Sequence, residues 1–393
     1  MPKIPQAIYL DHAATTPVDR DVLAAMAPYQ GSEFANPSSL YVAARETRLA
    51  VEAARAVIAN ILGAKTTELV FTSGGTEGNN LAVQGILRAH PGAHWVATAI
   101  EHDSVLECAK PLRRDGHPVT VIPVRPSGII ATSALESAIT DDTVLLSVML
   151  ANNEIGTIQP VAEVAKLVTS IRSDRTRRGV SCPLYLHTDA VQAANYLDLH
   201  VTRLGVDLLT LNGSKIYGPK GTGALYIRTG TVCEPLFYGG GQERGRRSGT
   251  ENVSGIVGLA AALKAAASMR DRESRRLAAL RDELGAALIA AIPTLMINGD
   301  SKRRLPNNLN LTIPGVEGEA LVLYLDNAGV LASTGSACST GSLDPSHVLL
   351  AIGRTVAEAN SSLRLTLGRS TTAEDIQKVI TVLTGVVKRL HEI

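Results

Sequence analysis

Cysteine is scarce in this sequence, and what there is suits structural chemistry poorly. The four residues, Cys108, Cys182, Cys233 and Cys338, lie far apart and form no Cys-x-x-Cys pair, which excludes a disulfide framework or a zinc knuckle. Charge of one sign is lacking too. With 38 Lys and Arg against 37 Asp and Glu the formal net charge is +1, so no long-range field steers the chain towards nucleic acid or an anionic membrane. The short basic clusters at 175–178 and 302–304 read as solvated loops. No apolar run is long enough to span a bilayer, and the first six residues do not lead into a signal-peptide core; the expected compartment is the cytoplasm. Aromatic residues make up only 3% of the chain while hydrophobic residues make up 45%, so a large core must be built from aliphatic side chains. At 393 residues the chain exceeds the usual size of one domain, and two are expected.

What is present alternates. Short apolar runs bounded by turn residues read as buried strands at 69–72, 95–98, 118–124, 144–150, 184–188 and 208–210, and helical periodicity lies between them at 38–62, 77–89, 104–114, 131–139 and 161–172. This is the pattern of a mostly parallel sheet covered by helices, which binds ligands at the carboxyl ends of its strands. After Thr250 the texture changes to a long Ala/Arg/Glu/Leu-rich helical stretch, 252–292. A second α/β region follows, with strand-like segments 308–313 and 330–332 and helical segments 317–326 and 373–393. A large domain is expected over 14–255 and a small one over 1–13 and 256–393, joined by an N-terminal strand at 8–10.

Several segments place reactive side chains at strand ends or in loops. In Leu211-Asn212-Gly213-Ser214-Lys215-Ile216-Tyr217-Gly218-Pro219-Lys220-Gly221, Lys215 follows a polar turn and precedes a Gly/Pro-rich loop. A lysine attacks a carbonyl only when held partly desolvated or near other cations; an ordinary surface turn would look the same. Ser73-Gly74-Gly75-Thr76-Glu77 joins a strand to a helix, so its N–H groups can cradle a phosphate or merely begin the helix. Asp189 and Gln192 close another strand, where a carboxylate can keep a pyridinium nitrogen protonated and an amide can donate to a ring oxygen; capping of the next helix is the plainer role. His102, just after a strand, can stack on a flat ring or move protons. Cys338 lies in a run of small polar residues, 333–342, by composition a mobile, exposed loop that suits a reactive thiolate. The other three cysteines lack that setting. Arg364, in a strand-like segment near the C-terminal end, can clamp a carboxylate with two hydrogen bonds or form a surface salt bridge.

Taken together, these segments closely resemble the class V, fold-type I pyridoxal-phosphate enzymes, and within them the cysteine desulfurases of the NifS/IscS-like group. The resemblance runs from Tyr9-Leu10-Asp11-His12-Ala13-Ala14-Thr15-Thr16-Pro17 to the Arg364 segment. Its most specific elements are Asn152-Asn153-Glu154-Ile155-Gly156, the lysine loop, Arg247-Ser248-Gly249-Thr250 and Gly335-Ser336-Ala337-Cys338. It implies a large domain with a mostly parallel, seven-stranded type of sheet plus a smaller α/β C-terminal domain carrying the catalytic cysteine loop. It implies pyridoxal 5'-phosphate as cofactor and L-cysteine as substrate, with sulfur-acceptor or scaffold proteins and a second copy of the chain as partners. Lys215 would be the Schiff-base lysine, Asp189 the partner of the ring nitrogen and Gln192 that of the ring hydroxyl. His102 would stack on the ring and assist proton transfer. Gly75, Thr76, Asn212 and Ser214 would hold the phosphate, joined by Thr250 from the second subunit. Asn36, Asn153 and Arg364 would orient the substrate. Cys338 would take sulfur as a persulfide, for iron–sulfur cluster or thio-cofactor biosynthesis, and could transiently ligate a cluster; no metal is expected in the cofactor site.

One departure stands out. Where the family usually reads Ser-Gly-His-Lys, this chain has Asn212-Gly213-Ser214-Lys215. A potentially cationic phosphate donor is replaced by a neutral hydroxyl, a loss that Arg246 or Arg247 is expected to offset. The chain also ends at Ile393, soon after its last expected helix. A selenocysteine lyase or class V aminotransferase would use Lys215 and Asp189 without depending on Cys338, and a catalytically silent sulfur carrier would need only the Cys338 loop.

Overall fold

The computed structural model describes residues 7–335 and 344–392. Its strands, in chain order, are β1 (Ile8–Tyr9), β2 (Leu69–Thr72), β3 (His94–Thr98), β4 (Val119–Ile122), β5 (Thr143–Ser147), β6 (Tyr185–Asp189), β7 (Leu208–Asn212), β8 (Gly223–Ile227), β9 (Met296–Ile297), β10 (Asn308–Thr312), β11 (Val330–Leu331) and β12 (Ser362–Thr366). Seven form one sheet in the order β2-β8-β7-β6-β5-β3-β4. The pairs from β4 through β7 are parallel, and β8 runs antiparallel between β7 and β2. Helices cover both faces, so β3 and β5 are buried along their whole length and read as continuous apolar runs, not as alternation. Strand β8 gives no such signal, because it begins Gly223-Ala224 and follows directly on a Gly/Pro-rich loop. Of the two neighbours that supply its hydrogen bonds, β7 immediately precedes it across the lysine loop and β2 is distant in sequence.

The C-terminal part builds its own sheet, β12-β10-β9, and the pair β1-β11. Residue Ile8 faces Val330, and Thr366 N donates to Leu10 O at 2.7 Å, so the N-terminal segment packs with this part of the chain. Its aliphatic cluster, including Leu10, Leu284, Leu309, Leu365 and Leu383, is separate from those flanking the seven-stranded sheet. The helix Val253–Ala291 contributes to both sides: Ile256 and Leu259 pack towards the large sheet, Leu284 and Leu288 towards the small one. One stretch of this helix is long and apolar enough to cross a membrane, but 56% of that stretch is buried within the molecule.

Two expectations need correction. The segment 104–114 is two short helices, Asp103–Leu106 and Ala109–Arg114, because Pro111 has no N–H to give and clashes with the carbonyl one turn back. The basic clusters are not simply solvated loops. Residues 175–178 end the helix Val161–Arg178, where Arg175 is only 3% exposed and donates to the carbonyls of Thr140, Thr143, Cys182 and Pro183. Arg304 is also buried and donates to Asn298 O and Asp300 O. A guanidinium has five donors, enough to satisfy several carbonyls that would otherwise be buried unpaired.

Strands β2, β3, β5, β6 and β7 end at the same edge of the large sheet, and the residues following them are Ser73-Gly74, Glu101-His102, Asn152-Asn153, Val191-Gln192 and Gly213-Ser214-Lys215. Every strand-end motif of the sequence therefore arrives at one rim.

Candidate active site

A cavity of about 300 Å³ opens at that rim. It is lined by Gly75, Thr76, His102, Asn153, Asp189, Gln192, Asn212, Lys215 and Arg364, nine of the residues singled out by sequence. Lys215 ends a single 3₁₀ turn, Gly213–Lys215, directly after β7. Asn195 Nδ2 holds its carbonyl at 2.7 Å, and its Nζ donates to Ala14 O. Two residues on, Tyr217 adopts a left-handed φ of 62°, a conformation that costs a bulky residue about 1–3 kcal/mol and persists only when neighbours dictate it. They do: Tyr217 N donates to Thr16 Oγ1 at 2.7 Å, its hydroxyl accepts from Arg369 N at 2.8 Å, and the Arg369 guanidinium lies 4.0 Å from its ring. The turn presenting Lys215 is thus fixed by segments near both ends of the chain.

Asp189, the last residue of β6, is 5% exposed. Its Oδ1 accepts from Val191 N at 2.9 Å and its Oδ2 from Asn79 Nδ2 at 2.6 Å. Asn79 also donates to Ser104 Oγ at 2.8 Å, and Ser104 Oγ lies 2.8 Å from His102 Nδ1. Beside His102, Glu101 is fully buried; its Oε1 accepts from Thr98 Oγ1 and Met149 N. Burial, with the Asp189 carboxylate nearby, pushes the Glu101 carboxyl up to about 7. Gln192 Nε2 donates to Ala13 O at 3.0 Å.

The helix Gly75–Ala89 points its N-terminus at the same cavity. A Cβ on Gly75 would come within 2.9 Å of Val191 Cγ2, so only glycine leaves the first turn open. With the N–H groups of this helix start and the donors of Thr76 and Asn212 nearby, the donor set fits a phosphate monoester. Ser214 does not line the cavity; its hydroxyl and its N–H both turn back to Asn212 Oδ1, at 3.2 and 3.1 Å. The two arginines expected to compensate have partners of their own. Arg247 pairs with Glu77 at 2.9 Å, and Arg246 reaches Thr67 O at 3.4 Å; neither lines the cavity. Glu77, the partner of Arg247, also accepts from Ser73 N at 2.8 Å.

Arg364 closes the far side. It is 2% exposed, donates to Gly335 O at 2.9 Å and Asn153 O at 3.2 Å, and pairs with Asp11 at 2.9 Å. Its salt bridge is therefore internal, not on the surface. The Asn153 loop is held from below: Asn308 Nδ2 and Asn310 Nδ2 both donate to Glu154 O, while Asn152 Oδ1 caps the N–H groups of Glu154 and Ile155. Glu154 Oε2 accepts from Ser346 Oγ at 2.6 Å. Gly335 and His347 both line the cavity; Cys338 itself falls outside the described residues. The three described cysteines are poor thiolates. Burial pushes Cys108 up to about 11 and Cys233 up to about 12, and raises Cys182 as well.

Two expected site residues are elsewhere in this chain. Asn36 and Thr250 are exposed and share a second cleft, where Asn36 Oδ1 accepts from Ser38 N at 2.9 Å. Residues that sequence reasoning missed are Asp11, Asn79, Ser104, Glu154 and His347. Asn79 carried a legible signal, being an amide on the buried face of an otherwise apolar and glycine-rich helix. Asp11 carried none, since its partner is 353 positions away.

The aminotransferase class-V family model matches residues 8–379. The cysteine desulfurase IscS of Dictyoglomus turgidum is 45% identical to this chain over 388 residues, 98% of the chain and 96% of that protein. Among solved structures, a NifS-like protein superposes with a TM-score of 0.88 at 33% identity, covering 98% of this chain and 100% of that one. SspA in complex with cysteine superposes with a TM-score of 0.78 at 34% identity, covering 92% of this chain and 98% of that one.

Proposed function

We infer that this chain, which belongs to the aminotransferase class-V family, is a cysteine desulfurase of fold-type I that converts L-cysteine to L-alanine and leaves the sulfur on Cys338 as a persulfide. One observation carries the reading: the cavity gathers Lys215, Asp189, His102 and Arg364 in a chain 45% identical, over nearly its whole length, to a cysteine desulfurase.

The cavity suits pyridoxal 5'-phosphate, which when bound supplies an electron sink for the carbon next to an amino group. Asp189, held by Val191 N and Asn79, would face the ring nitrogen; Gln192 would meet the ring hydroxyl; His102 would lie against the ring. Gly75, Thr76 and Asn212 would take the phosphate. Ser214 would act there indirectly, by orienting the Asn212 amide. Lys215 Nζ would hold the cofactor covalently and, once displaced by the substrate amine, would take the proton from the substrate α-carbon. Arg364 and Asn153 would bind the substrate carboxylate, with Asp11 keeping the guanidinium in place.

Sulfur transfer falls to Cys338, whose thiolate would attack the substrate sulfur and break its bond to carbon. The products balance: L-cysteine and a thiol become L-alanine and a persulfide. The high pKa values of Cys108 and Cys233 support assigning this step to Cys338, because the thiolate is the nucleophile. The persulfide would pass to acceptor or scaffold proteins. Thr250, exposed in its own chain, would complete the phosphate site of a second subunit, with Asn36 beside it. Phe34, Leu40 and Val42, at 80%, 99% and 76% exposure, are the apolar surface that such a dimer would cover. We further propose 14–255 as the cofactor-binding domain and 1–13 with 256–393 as the small domain; the separate aliphatic cluster that includes Leu10 supports this division.

The test is alanine release from L-cysteine with pyridoxal phosphate and a thiol reductant. The parent should release alanine and Cys338→Ala almost none. Equal release would indicate a lyase or aminotransferase, and none from either a silent sulfur carrier.

A further inference from the structure

The link between His102 and Asp189 determines where the protons lie. An ionised carboxylate only accepts, so the Asn79 amide group 2.6 Å from Asp189 Oδ2 must be its NH₂. The second amide hydrogen then goes to Ser104 Oγ, 2.8 Å away. Having accepted, the Ser104 hydroxyl gives its own hydrogen to His102 Nδ1 at 2.8 Å. The backbone N–H of Ser104 donates to the same nitrogen at 3.0 Å. A nitrogen that accepts two hydrogens carries none, so the ring hydrogen of neutral His102 is at Nε2. Ser104 cannot readily turn away, because its carbonyl accepts from Asn80 Nδ2 at 3.1 Å and Cys108 Sγ at 3.4 Å. Asp189 sets the direction at Asn79, and the Ser104 backbone N–H, which can only donate, sets it at His102.

We propose that Asn79 and Ser104 are positioning residues that fix His102 as the Nε2–H tautomer and couple its ring to the Asp189 carboxylate. His102 then presents its Nε2 edge as a proton donor, and its Nδ1 takes no part as a base. Removal of the substrate α-proton is left to Lys215. The catalytic consequence rests on the desulfurase reading; the tautomer does not.

Nitrogen-15 spectra of histidine-labelled protein, with and without cofactor, test this directly, the His102 signals being identified by their loss in His102→Gln. The expected result is a pyridine-type Nδ1 and a hydrogen-bearing Nε2 in both forms; a hydrogen on Nδ1, or an averaged pair of tautomers, would overturn the proposal. In Ser104→Ala, which loses the hydroxyl but keeps the backbone N–H, the Nδ1 signal should move part of the way towards the tautomeric average, and in Ser104→Thr, which keeps both, it should return. On L-cysteine, Ser104→Ala should lose about tenfold in kcat with KM little changed, as for one hydrogen bond in a charge-linked chain. Asn79→Ala, which also releases Asp189 Oδ2, should by itself cost at least as much, and adding Ser104→Ala to it should cost little more, because both changes cut the same path to His102. Additive losses, an unmoved Nδ1 signal in Ser104→Ala, or no rescue by threonine would each refute the coupling. Absence of L-cysteine turnover in the parent would fail the functional reading and leave the tautomer result standing.

Discussion

The two walls of the cavity are built differently. On the sheet side, Gly75, His102, Asp189 and Lys215 each come within a few residues of a strand end, and short-range bonds such as Val191 N to Asp189 Oδ1 and Ser104 N to His102 Nδ1 hold two of them. On the opposite side, Arg364 is positioned by Asp11, Asn153 and Gly335, none of them near it in sequence. Its neighbour Glu154 is supported by amides from β10. The first wall takes its layout from the strand ends of one sheet, with long-range bonds such as Tyr217 N to Thr16 Oγ1 fixing the Lys215 turn. A wall made of long-range polar contacts keeps its shape only while each partner is in place, which suits the side expected to receive and release substrate.

The largest effect should come from breaking the first wall. Lys215→Ala is expected to lower alanine formation by about 10³-fold or more, as loss of a nucleophile and base together does, and no concentration of L-cysteine should restore it. Arg364→Ala tests the second wall. Truncating one partner of a buried charge pair costs about 2–5 kcal/mol, so kcat/KM should fall about 10²-fold or more, with part of the rate recovered at high L-cysteine. Asp11→Asn, which leaves the guanidinium but removes its counter-charge, should give a smaller loss in the same direction.

Glu101 provides a stability readout of the sheet side. Its carboxyl is raised from 4.5 to about 7 in the folded protein by burial, with Asp189 adding to the rise. Below about 4.5 it is protonated in both folded and unfolded chains; between 4.5 and about 7 the folded chain holds the proton more tightly. Its contribution is therefore fully present at low pH and is lost as pH rises through about 7, an effect on the order of 3 kcal/mol at most. Thermal unfolding across that window should show the parent losing ground to Glu101→Gln as pH rises, and parallel curves would contradict the assignment. The smallest effect concerns Ser214. Placing a potentially cationic donor there, as in Ser214→His, should tighten cofactor retention by a few-fold, in the range of about 0.5–1.5 kcal/mol for one hydrogen bond; equal affinity, measured by cofactor titration of the apo protein, would mean that the Asn212 amide already suffices.

The same contrast explains what the sequence made legible. The parallel strands β3, β5, β6 and β7 announce themselves because they are buried on both faces, and the reactive residues following them are found by position alone. Strand β8 is invisible because Gly223 and Ala224 have no strand preference and one of its two partners, β2, lies far back in the chain. Arg364 is singled out by its motif, yet Asp11, which pairs with it, is not, since nothing local marks a pair 353 residues apart. Ser214 shows the limit of substitution by analogy: the hydroxyl serves the Asn212 side chain and does not face the cavity, and the arginine expected to compensate is occupied by Glu77.

The most direct test of the central claim is to add L-cysteine to the cofactor-loaded protein without reductant and map sulfur by mass spectrometry of its peptides. One added sulfur atom, removable by thiol, is expected on the peptide carrying Cys338 and none on those carrying Cys108, Cys182 or Cys233. Alanine formed with no sulfur on Cys338, or sulfur on another cysteine instead, would contradict it.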